Sequence, residues 1–150
     1  MKYLLMVLVS LFVLAIYFCD TTQAESSDYE VIRKSAEQGN APEQSNLGVM
    51  YANGEGVPED DAEAVKWFRK AAEQGHAEAQ FNLGLMYAKG EGAPEDYVEA
   101  YVWANIAAAQ GQEKGAELRD ILKGKLDNAS VAKAQERSKE YFEKYVAPFQ

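Results

Sequence analysis

The apolar positions of this chain recur at steps of three and four, so they fall along helix faces rather than on alternate sides of a strand. Leu47, Met50 and Tyr51 form one such set, and Leu83, Met86 and Tyr87 form its double. A second kind of stripe runs through Ala64, Trp67, Phe68, Ala71 and Ala72, and again through Ala100, Trp103, Ala104, Ala107 and Ala108. The pattern predicts a helix A from about Ala41 to Asn53 and another from Ala77 to Lys89, each followed by a helix B. Gly54 and Gly90 stand where a helix ends in a left-handed stop, which a residue without a side chain adopts at no steric cost. Pro58 and Pro94 keep the loops from continuing as helix. Asp60 and Asp96 are N-caps of the B helices, and Glu63 and Glu99, three residues on, complete an acidic capping box. Gly75 and Gly111 end the B helices.

These elements are copies. Ala36-Glu37-Gln38-Gly39 returns as Ala72-Glu73-Gln74-Gly75 and, altered, as Ala108-Ala109-Gln110-Gly111. The run from Leu47 to Ala52 returns at Leu83 to Ala88, and the loop from Gly54 to Asp60 returns at Gly90 to Asp96. The offset is always 36, and about 22 of 36 positions agree between the first two copies, far beyond chance. Gly48 and Gly84 lie inside helix A, where glycine costs about 1 kcal/mol relative to alanine. Close approach of a neighbouring helix is the expected reason, with Trp67 or Trp103 filling the adjoining layer. Their identical places in the two copies mark both tryptophans as core. One helix pair cannot bury its apolar face alone, so the units must stack.

The run Ala-Glu-Ala-Gln-Phe-Asn-Leu-Gly-Leu-Met-Tyr from Ala77, then Gly-Glu-Gly-Ala-Pro-Glu-Asp from Gly90, then Trp103 and Ala107 to Gly111, resembles the Sel-1-like repeat. That family is related to the tetratricopeptide repeat. The resemblance implies an all-α fold: a right-handed α-solenoid of antiparallel helix pairs with a 36-residue period and a long C-terminal capping helix. It also implies protein–protein interaction, often in bacterial envelopes. A repeat scaffold is not a site, however, and the motif specifies fold far better than function. Full repeats are expected at about 41–76 and 77–112, with caps at 25–40 and 113–150. The first cap reads as a lone helix B from Ser27 to Gln38. The last comprises a helix within Gln112 to Lys125, carrying Ala116, Leu118, Ile121 and Leu122, and a helix from Asn128 to about Tyr145. Val131, Ala134, Ser138, Tyr141, Phe142 and Tyr145 make the latter amphipathic.

The first 24 residues have a different pattern. Lys2 is followed by an apolar run from Tyr3 to Cys19, broken only by Ser10, and then by Thr22-Gln23-Ala24 with small residues at the minus-three and minus-one positions. This is the pattern of a signal peptide cleaved after Ala24, giving an exported, periplasmic or secreted protein. An uncleaved membrane anchor is the alternative, though the run sits at the low end of spanning length. Tyr17 and Phe18 before Cys19 argue against a lipoprotein signal. Cys19 is the sole cysteine, so no disulfide framework exists and packing must hold the fold together.

Charge narrows the partners. A formal net charge of -9 argues against nucleic acid and against an anionic membrane face. A protein partner, and a basic one in particular, fits better. No stable membrane insertion is expected after signal cleavage, and the oligomeric state stays open.

Catalytic chemistry finds little support. His76, the only histidine, stands where Asn40 stands one copy earlier, a cap position. Zinc wants several His or Cys ligands, and the acidic loops at Glu55–Asp61 and Glu91–Asp96 lack EF-hand spacing. Ser130-Val131-Ala132-Lys133 matches the Ser-x-x-Lys of penicillin-interactive enzymes, but the Ser-Asp-Asn and Lys-Thr-Gly elements are missing. The reading is therefore a non-enzymatic interaction module of the bacterial cell envelope: an adaptor, regulator or accessory subunit without cofactor or metal. A periplasmic immunity protein that neutralises a toxin and a β-lactamase-like hydrolase are the alternatives.

Variation between copies points to a binding face. On helix A the changing stripe is Ser45, Val49 and Asn53 in one copy and Phe81, Leu85 and Lys89 in the next. In tetratricopeptide-like solenoids helix A lines the concave side, which makes this stripe the candidate partner surface, with Phe81 and Leu85 as apolar anchors. Ser45 at the position of Phe81 suggests exposure there; the rival reading makes Phe81 core. Tyr101, which replaces Val65, is a further candidate, and packing against the C-terminal cap explains it as well.

Overall fold

The computed structural model describes residues 28–149. The expected signal peptide and its cleavage site lie outside the described residues. Within them are seven α-helices and no strand. Helix α1 covers residues 28–37, followed by α2 (Ala41–Asn53), α3 (Asp61–Ala72), α4 (Ala77–Lys89), α5 (Tyr97–Ala109), α6 (Glu113–Lys123) and α7 (Asn128–Tyr145), and a short 3-10 turn, Ala147–Phe149, follows α7. The A helices α2, α4 and α6 start at Ala41, Ala77 and Glu113, a step of 36 each time. Helix α2 packs on α3, α4 packs on both α3 and α5, α6 packs on α5, and α7 lies along α5. No described helix is long and apolar enough to cross a membrane.

Local chemistry sets the boundaries. Gly54 and Gly90 stop α2 and α4 in the left-handed conformation, with their N–H groups donating to Met50 and Met86. The side chain of Asp60 accepts from the Glu63 amide at 3.0 Å, and that of Asp96 accepts from the Val98 and Glu99 amides at 2.9 Å. The reciprocal half of the expected capping box does not form. The Asp60 and Asp96 amides donate instead to the Tyr51 and Tyr87 carbonyls, which ties each loop back onto its helix A. Glu63 and Glu99 are thereby released for other partners.

The mid-helix glycines serve close packing, but differently in each repeat. A Cβ on Gly48 would lie 2.7 Å from the Phe68 ring. A Cβ on Gly84 would lie 3.1 Å from the Ala100 carbonyl oxygen and 3.3 Å from the Ala104 nitrogen, both in the α5 backbone. The first glycine thus makes room for a ring, the second for a helix. Phe68, not Trp67, fills the space beside Gly48, which corrects the expectation that a tryptophan does so. Gly92 is where the second loop touches the start of α3: any side chain there would run into the Asp61 carbonyl.

A polar bracket repeats through the core. Buried Gln44 donates to the Ala36 carbonyl at 3.0 Å and accepts from Gln74 at 2.6 Å. Gln80 does the same one repeat later, donating to the Ala72 carbonyl at 3.0 Å and accepting from Gln110 at 2.6 Å. Each bracket satisfies a carbonyl near the end of one B helix with a side chain from the next A helix, so a buried amide is fully used and the repeat spacing is fixed.

The C-terminal cap covers only the second repeat's tryptophan. Trp103 is 1% exposed, with Tyr141 and Tyr145 of α7 at ring-centroid distances of 5.3 and 5.9 Å. Its indole N–H donates to Glu99 at 3.0 Å, and Glu99 also takes Arg137 of α7 at 2.6 Å. Trp67 is only half-buried, with the Lys70 ammonium over its face at 3.7 Å. Equal residues at equal repeat positions therefore do not have equal burial, which corrects the view that both are core. Of the apolar residues of α6, Leu118 and Leu122 are buried and Ile121 is 61% exposed.

Candidate functional site

Helices α2 and α4 form the walls of a cleft of about 410 Å³, and Phe68 of α3 stands at its base. Val49, Ala52 and Asn53 line one side, and Asn82, Leu85, Met86 and Lys89 line the other. The last four lie at steps of three and four, one face of a helix. Glu59, Asp61 and Glu91 close the end where the two loops meet. The cleft is thus apolar in the middle and acidic at the loop end.

Four residues of the expected stripe, Val49, Asn53, Leu85 and Lys89, line this cleft. Phe81 is half-buried and packs against the core cluster, outside the lining. Ser45 and Tyr101 do not form part of any surface. Ser45 is 3% exposed, so the small side chain at that position reflects tight packing and not solvent. Tyr101 is 2% exposed, and its hydroxyl accepts from Gln135 of α7 at 3.4 Å, which makes it a contact of the cap.

Asn82 is a lining residue that the comparison of copies passed over, because Asn46 occupies the same place one repeat earlier. The two amides differ in employment. Asn46 donates to the Glu43 carboxylate at 3.2 Å. Ala79 replaces Glu43 in the second repeat, and among the described residues no side-chain partner takes the Asn82 amide. Such an amide offers one donor edge and one acceptor edge, the pairing a peptide group needs. The signal was present in the sequence as an exchange three residues before a constant asparagine.

The charges at the loop end are unequal. Lys89 and Glu91 pair at 3.3 Å and cancel. Glu59 and Asp61 have no cation among the described residues, which leaves a local excess of negative charge.

The remaining candidates for chemistry have structural employment. His76 caps α4 as Asn40 caps α2: its Nδ1 accepts from the Ala79 amide at 3.3 Å. That bond requires the neutral ring, and burial holds the His76 pKa below its ordinary value against the smaller opposing pull of Glu78. Tyr51 shares a 3.3 Å hydroxyl contact with Tyr29, and that bond together with burial pushes its pKa up to about 12. Ser130 lies in the first turn of α7, where its amide donates to Asp127 at 2.7 Å, and among the described residues no bond joins it to Lys133. No group of three or more His, Cys, Asp or Glu is placed to hold a metal among the described residues.

Comparison with known proteins completes the assignment. The Sel1 repeat family matches residues 44–76 and 77–112. A protective antigen present in uropathogenic Escherichia coli strains, which displays an SLR fold, superposes with a TM-score of 0.82 at 37% identity, covering 90% of this chain and 29% of the antigen. A Sel1 repeat protein from Oxalobacter formigenes gives a TM-score of 0.64 at 36% identity, covering 65% of this chain and 28% of its own. The chain thus spans under a third of the length of either neighbour. None of the curated proteins matches it. Repeats of this kind are generally scaffolds for protein–protein interaction. The two matched segments fall on the helix pairs α2–α3 and α4–α5, and the chain carries two Sel1 repeats.

Proposed function

We propose that this chain is a non-enzymatic interaction module that grips a protein partner in the cleft between α2 and α4. The observation that carries this reading is the lining itself: Val49, Leu85 and Met86 beside the Asn82 amide, which has no side-chain partner among the described residues, whereas its counterpart Asn46 is engaged by Glu43. Apolar lining with a few placed polar groups is the usual make-up of a binding site. The protein works in the bacterial cell envelope after export, a reading supported by the apolar run and the Thr22-Gln23-Ala24 site. Three experiments test this. A photo-crosslinking residue at position 85, introduced in the native host, is expected to yield a defined adduct with a partner, and one at exposed position 123 is not. Leu85→Asp should weaken the purified complex by about 2 kcal/mol, the scale of a hot-spot residue. Adducts formed only from position 123, with Leu85→Asp binding normally, overturn the cleft as the site. Intact mass of the exported form is expected to begin at Glu25, and a mass retaining Met1 would mean an uncleaved anchor.

A further inference from the structure

We infer that the cleft reads an extended polypeptide segment carrying an apolar side chain and, toward the loop end, a lysine or arginine. This rests on the cleft being the binding site and adds the chemistry of what enters it. Three observations on the lining of the cleft carry it. The Asn82 amide, set free by Ala79 in place of Glu43, can pair with the N–H and C=O of one peptide unit, as an extended segment presents them. Leu85, Val49 and the Phe68 ring form an apolar seat one turn further on. Glu59 and Asp61 then face the cleft's end without a cation, while Lys89 is already paired with Glu91.

The dimensions agree. Asn82 to Lys89 spans about 10 Å along the helix at 1.5 Å per residue. An extended peptide covers that distance in roughly three residues at about 3.3 Å each. A segment bonded at Asn82 therefore places a side chain two or three residues later beside Glu59 and Asp61. A cation there meets two carboxylates at a solvent-facing edge, where charge complementarity selects partner and register more than it adds raw affinity. An acidic residue at that place is repelled by the same two groups, and a neutral one gains no attraction from them.

Selection of a phage-displayed random heptapeptide library on the purified full chain tests the inference. The expected outcome is enrichment of peptides with a large apolar residue followed two or three positions later by Lys or Arg. Their binding should weaken as salt rises. Asn82→Ala and the double variant Glu59→Gln/Asp61→Asn should each weaken a selected peptide by roughly tenfold. The double variant Glu59→Lys/Asp61→Lys should shift the selection to Asp or Glu at the same spacing, an inversion that mere loss of structure cannot produce; circular dichroism checks that each variant stays helical. Peptides without a basic residue that still lose binding on Leu85→Asp would leave the cleft as the site and overturn the charge preference. Peptides indifferent to Leu85→Asp and Asn82→Ala, or no enrichment at all, would overturn the cleft and the inference together.

Discussion

The two repeats share a framework and differ in what lies over it. In the first, the Phe68 ring of α3 packs beside Gly48 of α2, Trp67 stays half-exposed, and Glu63 pairs with Lys66 at the surface. In the second, α5 comes close to Gly84 with Ala104 where the first has Phe68, and α7 seals Trp103 under Tyr141 and Tyr145. Glu99, the counterpart of Glu63, is drawn inside to join Trp103 and Arg137. A duplicated sequence therefore makes one closed repeat and one open one. The open one shares its exposed edge with α4, and that edge is the cleft. Position within the solenoid decides which copy of a residue is structural and which is available to a partner.

The largest expected effect separates the tryptophans. Trp103→Ala removes a fully buried aromatic and should destabilise by about 3–5 kcal/mol. Trp67→Ala removes a half-exposed ring with a cation over it and should cost only about 1 kcal/mol. Denaturant melts of both variants measure the difference. Equal losses would mean that the cap does not discriminate between the repeats, and the contrast drawn above would be lost.

That contrast also marks the limit of what the sequence revealed. The helix pairs, their caps and the 36-residue step were legible because two copies repeat the same apolar spacing, stops and cap residues. The burial of Trp67 was not legible, since identity at one repeat position says nothing about which helix covers it. Ser45 misled for a related reason: a serine facing a phenylalanine across copies reads as solvent, yet here it reports a tight contact. Phe81 packs partly against the core, so Phe81→Ser is expected to cost stability even though Ser45 holds the same place in the first copy. The Gln44 and Gln80 brackets were visible as constant glutamines but not interpretable, because their acceptors are main-chain carbonyls eight residues back that no side-chain pattern displays.

The next effect in size concerns the paired glutamates. Glu99→Ala leaves the Trp103 N–H without its acceptor and Arg137 without its carboxylate, at a place where Glu99 is 8% exposed. The loss should be about 1–3 kcal/mol, the range for a buried polar group left unsatisfied. Arg137 is itself partly in solvent, which keeps the figure below that of a fully buried pair. Glu63→Ala breaks a surface contact with Lys66 and should change stability by no more than about 0.5 kcal/mol. Thermal melts of the two variants side by side sharpen the comparison, and a Glu99 effect as small as that of Glu63 would show that α7 is held by its aromatic contacts alone.

The smallest effect is a pH dependence confined to the second repeat. Asn40 caps α2 with a group that does not titrate, whereas His76 caps α4 through Nδ1 and must be neutral to do so. Burial holds its pKa below the ordinary value of about 6.5, so in the acid direction the unfolded chain takes up the proton first. Stability from this group is complete above that ordinary value. It falls as pH drops through it and is spent once pH passes the lowered folded value. The loss should not exceed about 1 kcal/mol, the scale of one N-cap. His76→Asn gives α4 the cap of α2 and should remove this window, while acid losses from carboxylates remain common to both proteins. Urea melts of the two proteins between pH 7.5 and about 5 measure it. The curves should coincide in shape above the histidine range and separate below it, with His76→Asn the less acid-sensitive. Parallel curves throughout would mean that the imidazole is not the acceptor for the Ala79 amide, and that the two caps differ in residue but not in response to acid.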